Sequence, residues 1–345
     1  MAHSNYSFQE LHDDEVFEPS IIVEYVPFTQ AKFYGNWQKF LGRKVRRFIV
    51  KNDEQVVAYF QLIKYPLISS FNYLYIPYGP VTKDHSSDFL KHLKEKLLEI
   101  TREENAVFIR TDFTPKLDPH SLSKYFKKSS PYTYHSAYFQ PRVEWFLKLD
   151  KTEEHLYDAM HENTRYSIRL ADRKLAITEI VTSDFNQFLE PFYELMTITS
   201  KRNGFSLHPK EYYQSIFNNL NSSNAFLAVA RFEEKILAID LIIIYGDIAN
   251  YVFACSSNEE RNRAPSYSAI WKAIKYSKEH GCKYFNFGGI STADQPNKNW
   301  EGLSSFKKKF GGEEIVRSSF YDVVANPMIY FLYNSRKLIK HYLKF

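Results

Sequence analysis

Three segments carry residue types that can do chemistry. In Gly302-Leu303-Ser304-Ser305-Phe306-Lys307-Lys308-Lys309-Phe310-Gly311-Gly312, the two phenylalanines fall one turn apart on a helical face. This predicts three adjacent lysines splayed around the other side and a glycine stop, which reads either as a basic surface or as a solvated helix end. In Asn286-Phe287-Gly288-Gly289-Ile290, paired glycines after a strand let backbone or a ligand approach closely. The third segment is a ridge of Arg165, Arg169 and Arg173 at four-residue spacing, suited to phosphates unless Glu162 or Asp172 engages it.

Other chemistries lack their residues. The sequence contains no phosphate-binding glycine loop, no Cys-x-x-Cys, no His-Glu-x-x-His and no Gly-x-Ser-x-Gly. None of its 11 histidines is spaced with carboxylates as a metal site would require. A reaction without metal or cofactor, driven by an already activated substrate, is the expectation.

The elements that must position these residues repeat. The first half reads as a strand over 46–50, a turn at 52–54, strands over 56–65 and 73–77, a helix over 88–102 and a strand over 106–111 ending at Asp112. The second half repeats the order: strands over 225–232, 236–245 and 248–255, a helix over 268–280 capped by Gly281, and a strand over 283–287. Hairpin, third strand, amphipathic helix and closing strand is the order of the GNAT acyltransferase fold. The fold class is therefore α/β, a tandem pair of GNAT-like domains with mixed central sheets flanked by helices. The boundaries fall at 1–147 plus 318–345 for the first domain and 148–317 for the second.

Further helices are expected from Thr152, from Asp184 with a kink or restart at Pro191 and a stop at Gly204, and over 209–220 with Pro209 at the first position. The last helix sets Phe331, Leu338 and Tyr342 on one face and Lys337, Lys340 and Lys344 on another. It either packs with its lysines solvated or offers a surface to anionic lipid or RNA.

With 44% hydrophobic and 25% charged residues, the 345-residue chain fits a globular protein of two domains. Two cysteines, Cys255 and Cys282, make no disulfide scaffold and are expected as buried thiols in a reducing compartment. The first ten residues lack the pattern of a secretory signal, and the most apolar run, 236–244, is broken by Asp240 and too short to cross a bilayer. A cytoplasmic protein, in peripheral contact with the membrane at most, is expected. A net charge of +5 suits an anionic partner without naming one.

The ordered set of the arginine ridge, Phe192-Tyr193-Glu194-Leu195, Arg202-Asn203-Gly204, His208-Pro209-Lys210-Glu211-Tyr212-Tyr213, Gly288-Gly289-Ile290 and Phe306-Lys307 to Phe310-Gly311 resembles the FemABX family of non-ribosomal peptidyltransferases, over roughly 45–317. The absence of a long charged helical insertion looks more like the FemX branch than FemA.

The resemblance implies transfer of an amino acid from aminoacyl-tRNA to the stem-peptide amine of a peptidoglycan precursor, lipid-linked or nucleotide-linked. It implies an acceptor-binding first domain, a catalytic second domain, no cofactor, and no DNA partner. By the same resemblance, Lys307 matches the active-site lysine and Asp112 an aspartate of the cleft, as base or as positioning group. Lys39 and Tyr212 match acceptor-binding residues, and Gly288 and Gly289 belong to the same motif set. Lys308, Lys309, Arg165 and Arg169 are the expected tRNA contacts. Two positions depart from the pattern: His208 stands where an arginine is expected and Ser266 where a tyrosine is, leaving Arg202 or the ridge to support diphosphate. The rivals are an acyl-CoA-dependent N-acyltransferase, disfavoured because 259–265 contains no glycine, and a non-catalytic RNA- or membrane-binding protein on this fold.

Overall fold

The computed structural model describes residues 5–129, 140–293 and 297–342. It divides into two compact units, Met1–Arg142 with Arg317–Phe345, and Val143–Val316.

The first unit is built on strands β1 (Tyr6–Glu10), β2 (Val45–Asn52), β3 (Gln55–Pro66), β4 (Asn72–Ile76), β5 (Val81–Thr82), β6 (Ala106–Thr111) and β7 (Lys127–Lys128), with helices α1 (Lys32–Phe40), α2 (Ser87–Glu103) and α3 (Pro119–Ser123). β2 and β3 form the expected hairpin, turning through Asp53 in the left-handed region. β4 runs parallel to β6 across the α2 crossover. The returning strand Tyr321–Val324 closes the sheet against β6 and β7. The Ser86 hydroxyl caps α2 by accepting the Phe89 N–H at 3.1 Å. Phe89, Leu93, Leu97 and Ile100 bury the inner face of α2 on Phe48, Phe60, Leu74 and Ile109.

The second unit repeats this plan. Its strands are β8 (Val143–Lys148), β9 (Ile177–Val181), β10 (Ala225–Phe232), β11 (Lys235–Tyr245), β12 (Ile248–Ser256), β13 (Tyr284–Gly289) and β14 (Glu313–Val316). Its helices are α4 (Glu153–Asp158), α5 (Glu162–Arg173), α6 (Leu189–Asn203), α7 (Lys210–Phe217), α8 (Pro265–Glu279) and α9 (Glu301–Lys308). The sheet order is β14-β8-β13-β12-β11-β10-β9, with β12 parallel to β13 across α8. Ala269 and Ala273 keep that face of α8 small, so it packs closely on Phe226, Ala228, Ile242 and Phe285.

Several boundaries move for local reasons. β8 pairs with β13 and β14, which places the division at 142/143 rather than inside the strand at 147/148. Asp184 sits in the left-handed region without capping, and a 3-10 turn (Phe185–Phe188) leads into α6, where Pro191 lies in the first turn. Pro209 precedes α7 instead of opening it, and α8 opens three residues early with Pro265 at its first position. Both thiols are free and buried.

The last helix, Pro327–Tyr342, is anchored in an unexpected register. Its inward side chains are Tyr330 and Tyr333, packed on Phe108, and the Tyr330 hydroxyl donates to Asp322 at 2.8 Å. Asp322 also receives two 2.7 Å bonds from the fully buried Arg110. Phe331 and Leu338, expected to pack inward, are exposed; Lys344 lies outside the described residues.

Removing one partner of a buried pair strands the other charge, so Asp322→Ala should lower unfolding free energy by about 3–5 kcal/mol, read from urea denaturation.

Candidate functional site

The parallel pairing of β12 and β13 covers only Ile248↔Tyr284, Ala249↔Phe285 and Asn250↔Asn286. Beyond it β12 continues to Ser256 and β13 to Gly289 without pairing to each other, so the strands open into a splay. The Asn250 and Asn286 side chains sit at its apex. Asn286 Nδ2 donates to Asn250 Oδ1 at 3.2 Å and to Glu144 Oε1 of β8 at 2.9 Å, and Asn286 Oδ1 accepts the Gly288 N–H at 2.7 Å.

Lys307 enters this opening from α9. Its Nζ donates to the Gly289 carbonyl at 2.7 Å, and the residue is only 5% exposed. Of the three lysines expected on the solvated side, this one points inward; Lys308 is exposed and lies over the Trp145 ring, and Lys309 is half-buried. Gly288 adopts φ +76°, and a Cβ there would stand 3.8 Å from the Lys307 Nζ and 3.7 Å from the Tyr251 carbonyl. At those distances a Cβ would make ordinary contact, so the position favours glycine for its φ and not for want of room.

Burial pulls the Lys307 pKa down to about 7, and the nearby Glu144 carboxylate opposes that fall. Glu144, itself 4% exposed, was not singled out from sequence; it lies 163 positions before Lys307, and only strand pairing brings it to the apex. Asp240, read only as a break in an apolar run, is a second buried acid. Burial holds its carboxyl well above the usual range, and Tyr251 donates to it at 3.3 Å.

The C-terminal half of β12 gathers another group. Arg202 donates to the Ser256 carbonyl at 3.0 Å, to Ser256 Oγ at 2.8 Å and to Asn258 Oδ1 at 2.7 Å, so its guanidinium fastens the strand end. His208 stacks on Tyr212 with ring centres 4.1 Å apart, and Tyr212 and Tyr213 meet Phe253 edge-on. Ser266, half-buried, is the second residue of α8.

The arginines of the ridge make contacts within the second unit. Arg165 donates to the carbonyls of Asp158, at 2.8 Å, and Met160, closing the α4–α5 corner. Arg169 is exposed and donates to the Tyr157 hydroxyl at 2.9 Å, and Arg173 lies over Tyr166. That corner and α9 wall an open cavity of about 680 Å³, lined by Met160, His161, Ser291, Ser305, Lys308 and Lys309 among others. Among the described residues no cluster of His, Cys, Asp or Glu could hold a metal ion.

In the first unit, Asp112 is buried at the end of β6. Tyr75 OH donates to one of its oxygens at 2.9 Å and the Tyr78 N–H to the other at 2.5 Å. Burial raises its pKa well above the usual range, opposed first by these bonds. Lys39, on α1, is paired with Asp13 and about one-third exposed.

The family model for the FemAB family matches residues 22–131, 127–235 and 230–337. The chain belongs to the FemAB family. It is an aminoacyltransferase of that family on a tandem GNAT-like fold. Among its relatives is the lipid II:glycine glycyltransferase of Staphylococcus aureus (strain USA300), 24% identical, the match covering 87% of this chain and 89% of the relative. The crystal structure of FemX superposes with TM-score 0.79 at 22% identity, over 94% of this chain and 99% of that one. A tandem GNAT protein from the clavulanic acid biosynthesis pathway follows the same fold more loosely, with TM-score 0.57 at 12% identity, covering 94% and 99%.

A lysine whose folded pKa is depressed binds fewer protons than in the unfolded chain, so stability rises with pH between the two values. Lys307 should add a slope of at most about 1.4 kcal/mol per pH unit from about pH 7 toward pH 10. Lys307→Met should abolish that slope, as denaturation midpoints across the range will reveal.

Proposed function

We propose that this enzyme transfers an amino acid from aminoacyl-tRNA to the stem-peptide amine of a peptidoglycan precursor, building an interpeptide bridge, with Lys307 stabilising the oxyanion. The observation that carries the reading is the Lys307 ammonium, buried at the strand splay between the Gly289 carbonyl and Gly288. The named activity of the staphylococcal relative supports glycine as the donated residue and a lipid-linked precursor as the acceptor.

In the reaction, the neutral amine attacks the ester carbonyl of the charged tRNA. The carbon–nitrogen bond forms, negative charge collects on the carbonyl oxygen, and the carbon–oxygen bond to the ribose breaks. The amine's proton leaves with the ribose oxygen, so atoms and charge balance without a cofactor. A positioned cation or hydrogen-bond donor at the oxyanion contributes roughly 3–4 kcal/mol. Lys307 can act so only while protonated, and the Glu144 carboxylate favours that form against burial.

The cavity beside Lys308 and Lys309 suits the terminal nucleotide of the tRNA, with Arg169 and the lysines offering charge to its phosphates. Arg165 is committed to the corner that shapes this cavity. Arg202 and the His208–Tyr212 stack form the acceptor side of the second unit, with Ser266, Gly288 and Gly289 as further substrate contacts. The Lys39 ammonium of the first unit would meet acceptor phosphate by exchanging Asp13 for it. Both Asp112 oxygens are occupied, which favours Asp112 as the group that positions the Tyr75–Tyr78 segment over Asp112 as proton acceptor. A CoA-dependent reaction fits poorly: 261–263 forms a 3-10 turn whose Arg263 lies over Phe232 and bonds Glu260 at 2.7 Å, in place of a glycine loop.

Incubation with a pool of charged tRNAs and either muramyl-pentapeptide acceptor should yield a product heavier by whole amino-acid residues; acylation from acyl-CoA alone would refute the reading. Lys307→Met should slow single-turnover transfer at least ~100-fold. The acceptor amine, with a pKa of about 10.4, needs rising pH, whereas Lys307 needs its proton. The logarithm of kcat/KM should therefore climb with pH, then level off at about 7. Glu144→Gln, removing the charge that holds Lys307 protonated, should move that break to lower pH.

A further inference from the structure

The last helix, Pro327–Tyr342, presents a second apolar face to solvent. Met328 is 73% exposed, Phe331 68%, Leu332 51% and Ile339 57%, with Leu338 also exposed. These positions follow helical spacing and form one stripe about 16 Å long. The helix is not held by this stripe. Its hold on the first unit is the opposite side, where Tyr330 and Tyr333 pack on Phe108 and the Tyr330 hydroxyl reaches the buried Arg110–Asp322 pair. A side chain such as Phe331 therefore stays in water at a hydrophobic penalty that no packing among the described residues of the first unit relieves.

The charge carried by this helix has one sign. The segment 327–342 contains Arg336, Lys337 and Lys340 and no Asp or Glu. On the anchored side, Lys337 lies over the Tyr333 ring at 5.6 Å, and Lys127, from neighbouring β7, over Tyr330 at 4.9 Å. By helical position the exposed Arg336 borders the stripe on the Leu332 side, and a cation bordering an apolar stripe matches the boundary between anionic headgroups and acyl chains. A second copy fits less well: a two-fold contact would set this stripe against itself and bring the bordering Arg336 toward its own equivalent without a carboxylate on the helix to meet it. RNA would answer the cations and leave the apolar stripe in water.

We propose that the exposed face of the helix Pro327–Tyr342 is a membrane-docking surface, which lies in the headgroup region of an anionic bilayer with Phe331 and Leu332 inserted. No helix among the described residues is long and apolar enough to cross a membrane, so this contact lies on the bilayer rather than through it. Its purpose rests on the proposed reading, since a lipid-linked acceptor presents its diphosphate at just such a surface. The binding itself is independent of any transfer.

The full chain should co-sediment with phosphatidylglycerol vesicles and far less with phosphatidylcholine vesicles, and added salt should weaken the binding. Phe331→Glu with Leu332→Glu should reduce partitioning at least ~tenfold, with thermal unfolding unchanged because neither residue is packed. Leu332→Trp supplies an independent readout: its fluorescence should shift to the blue on vesicle addition. Equal partitioning of wild type and the double variant, or no vesicle binding, would overturn the proposal. So would a wild-type dimer that the double variant dissolves, seen in sedimentation velocity, since the stripe would then belong to a second copy. Vesicle binding that persists in a protein unable to transfer from any charged tRNA would sink the proposed reaction and leave the docking surface standing.

Discussion

The burial of one ammonium group is the constraint on which the proposed chemistry of the second unit depends. Lys307 is drawn out of water to where β12 and β13 part, and its one hydrogen bond among the described residues is to the Gly289 carbonyl. Such a group is unstable as a charge unless a counter-charge stands near, and Glu144 supplies one across the apex. The result is a lysine poised between its two protonation states near neutrality. A fully solvated lysine would stay charged across this range, and one without Glu144 would hold its proton less firmly.

The scaffold explains why such a group can be held there. A parallel pair joined by a helix crossover has its strands linked through α8 rather than by a hairpin, so they can separate past Asn250 and Asn286 without breaking the core under Ala269 and Ala273. The opened backbone is compensated by side chains, as Asn286 serves Gly288, Glu144 and Asn250 at once. The first unit has the same crossover but places an aspartate, Asp112, at the end of its closing strand, where Tyr75 and the Tyr78 amide engage both carboxylate oxygens. One plan thus carries a buried cation in one unit and a buried acid in the other.

The sheets and main helices were legible because their signals are local. Turn residues such as Asn52-Asp53, the left-handed Gly204 and Gly281, and the four-residue apolar spacing of α2 act within a few positions of themselves. The joint order of weak motifs pointed to the family for the same reason. What stayed hidden depends on contacts distant in sequence. Nothing in three consecutive lysines says which one turns inward, and Glu144 and Asn250 reach the apex only through strand register. The arginine ridge was recognisable as a spacing, yet Arg165 is used by carbonyls at a corner that spacing cannot foresee. The last helix was read with the wrong face inward because tyrosines, ambiguous in any hydrophobicity pattern, are what it buries.

The most direct test is to follow the Lys307 side chain itself through pH, by NMR of protein labelled at lysine Nζ and Cε, with Lys307→Met to assign the resonance. Titration near pH 7, displaced downward in Glu144→Gln, is the predicted outcome. A midpoint near 10, unmoved by that substitution, would show a solvated lysine and contradict the account.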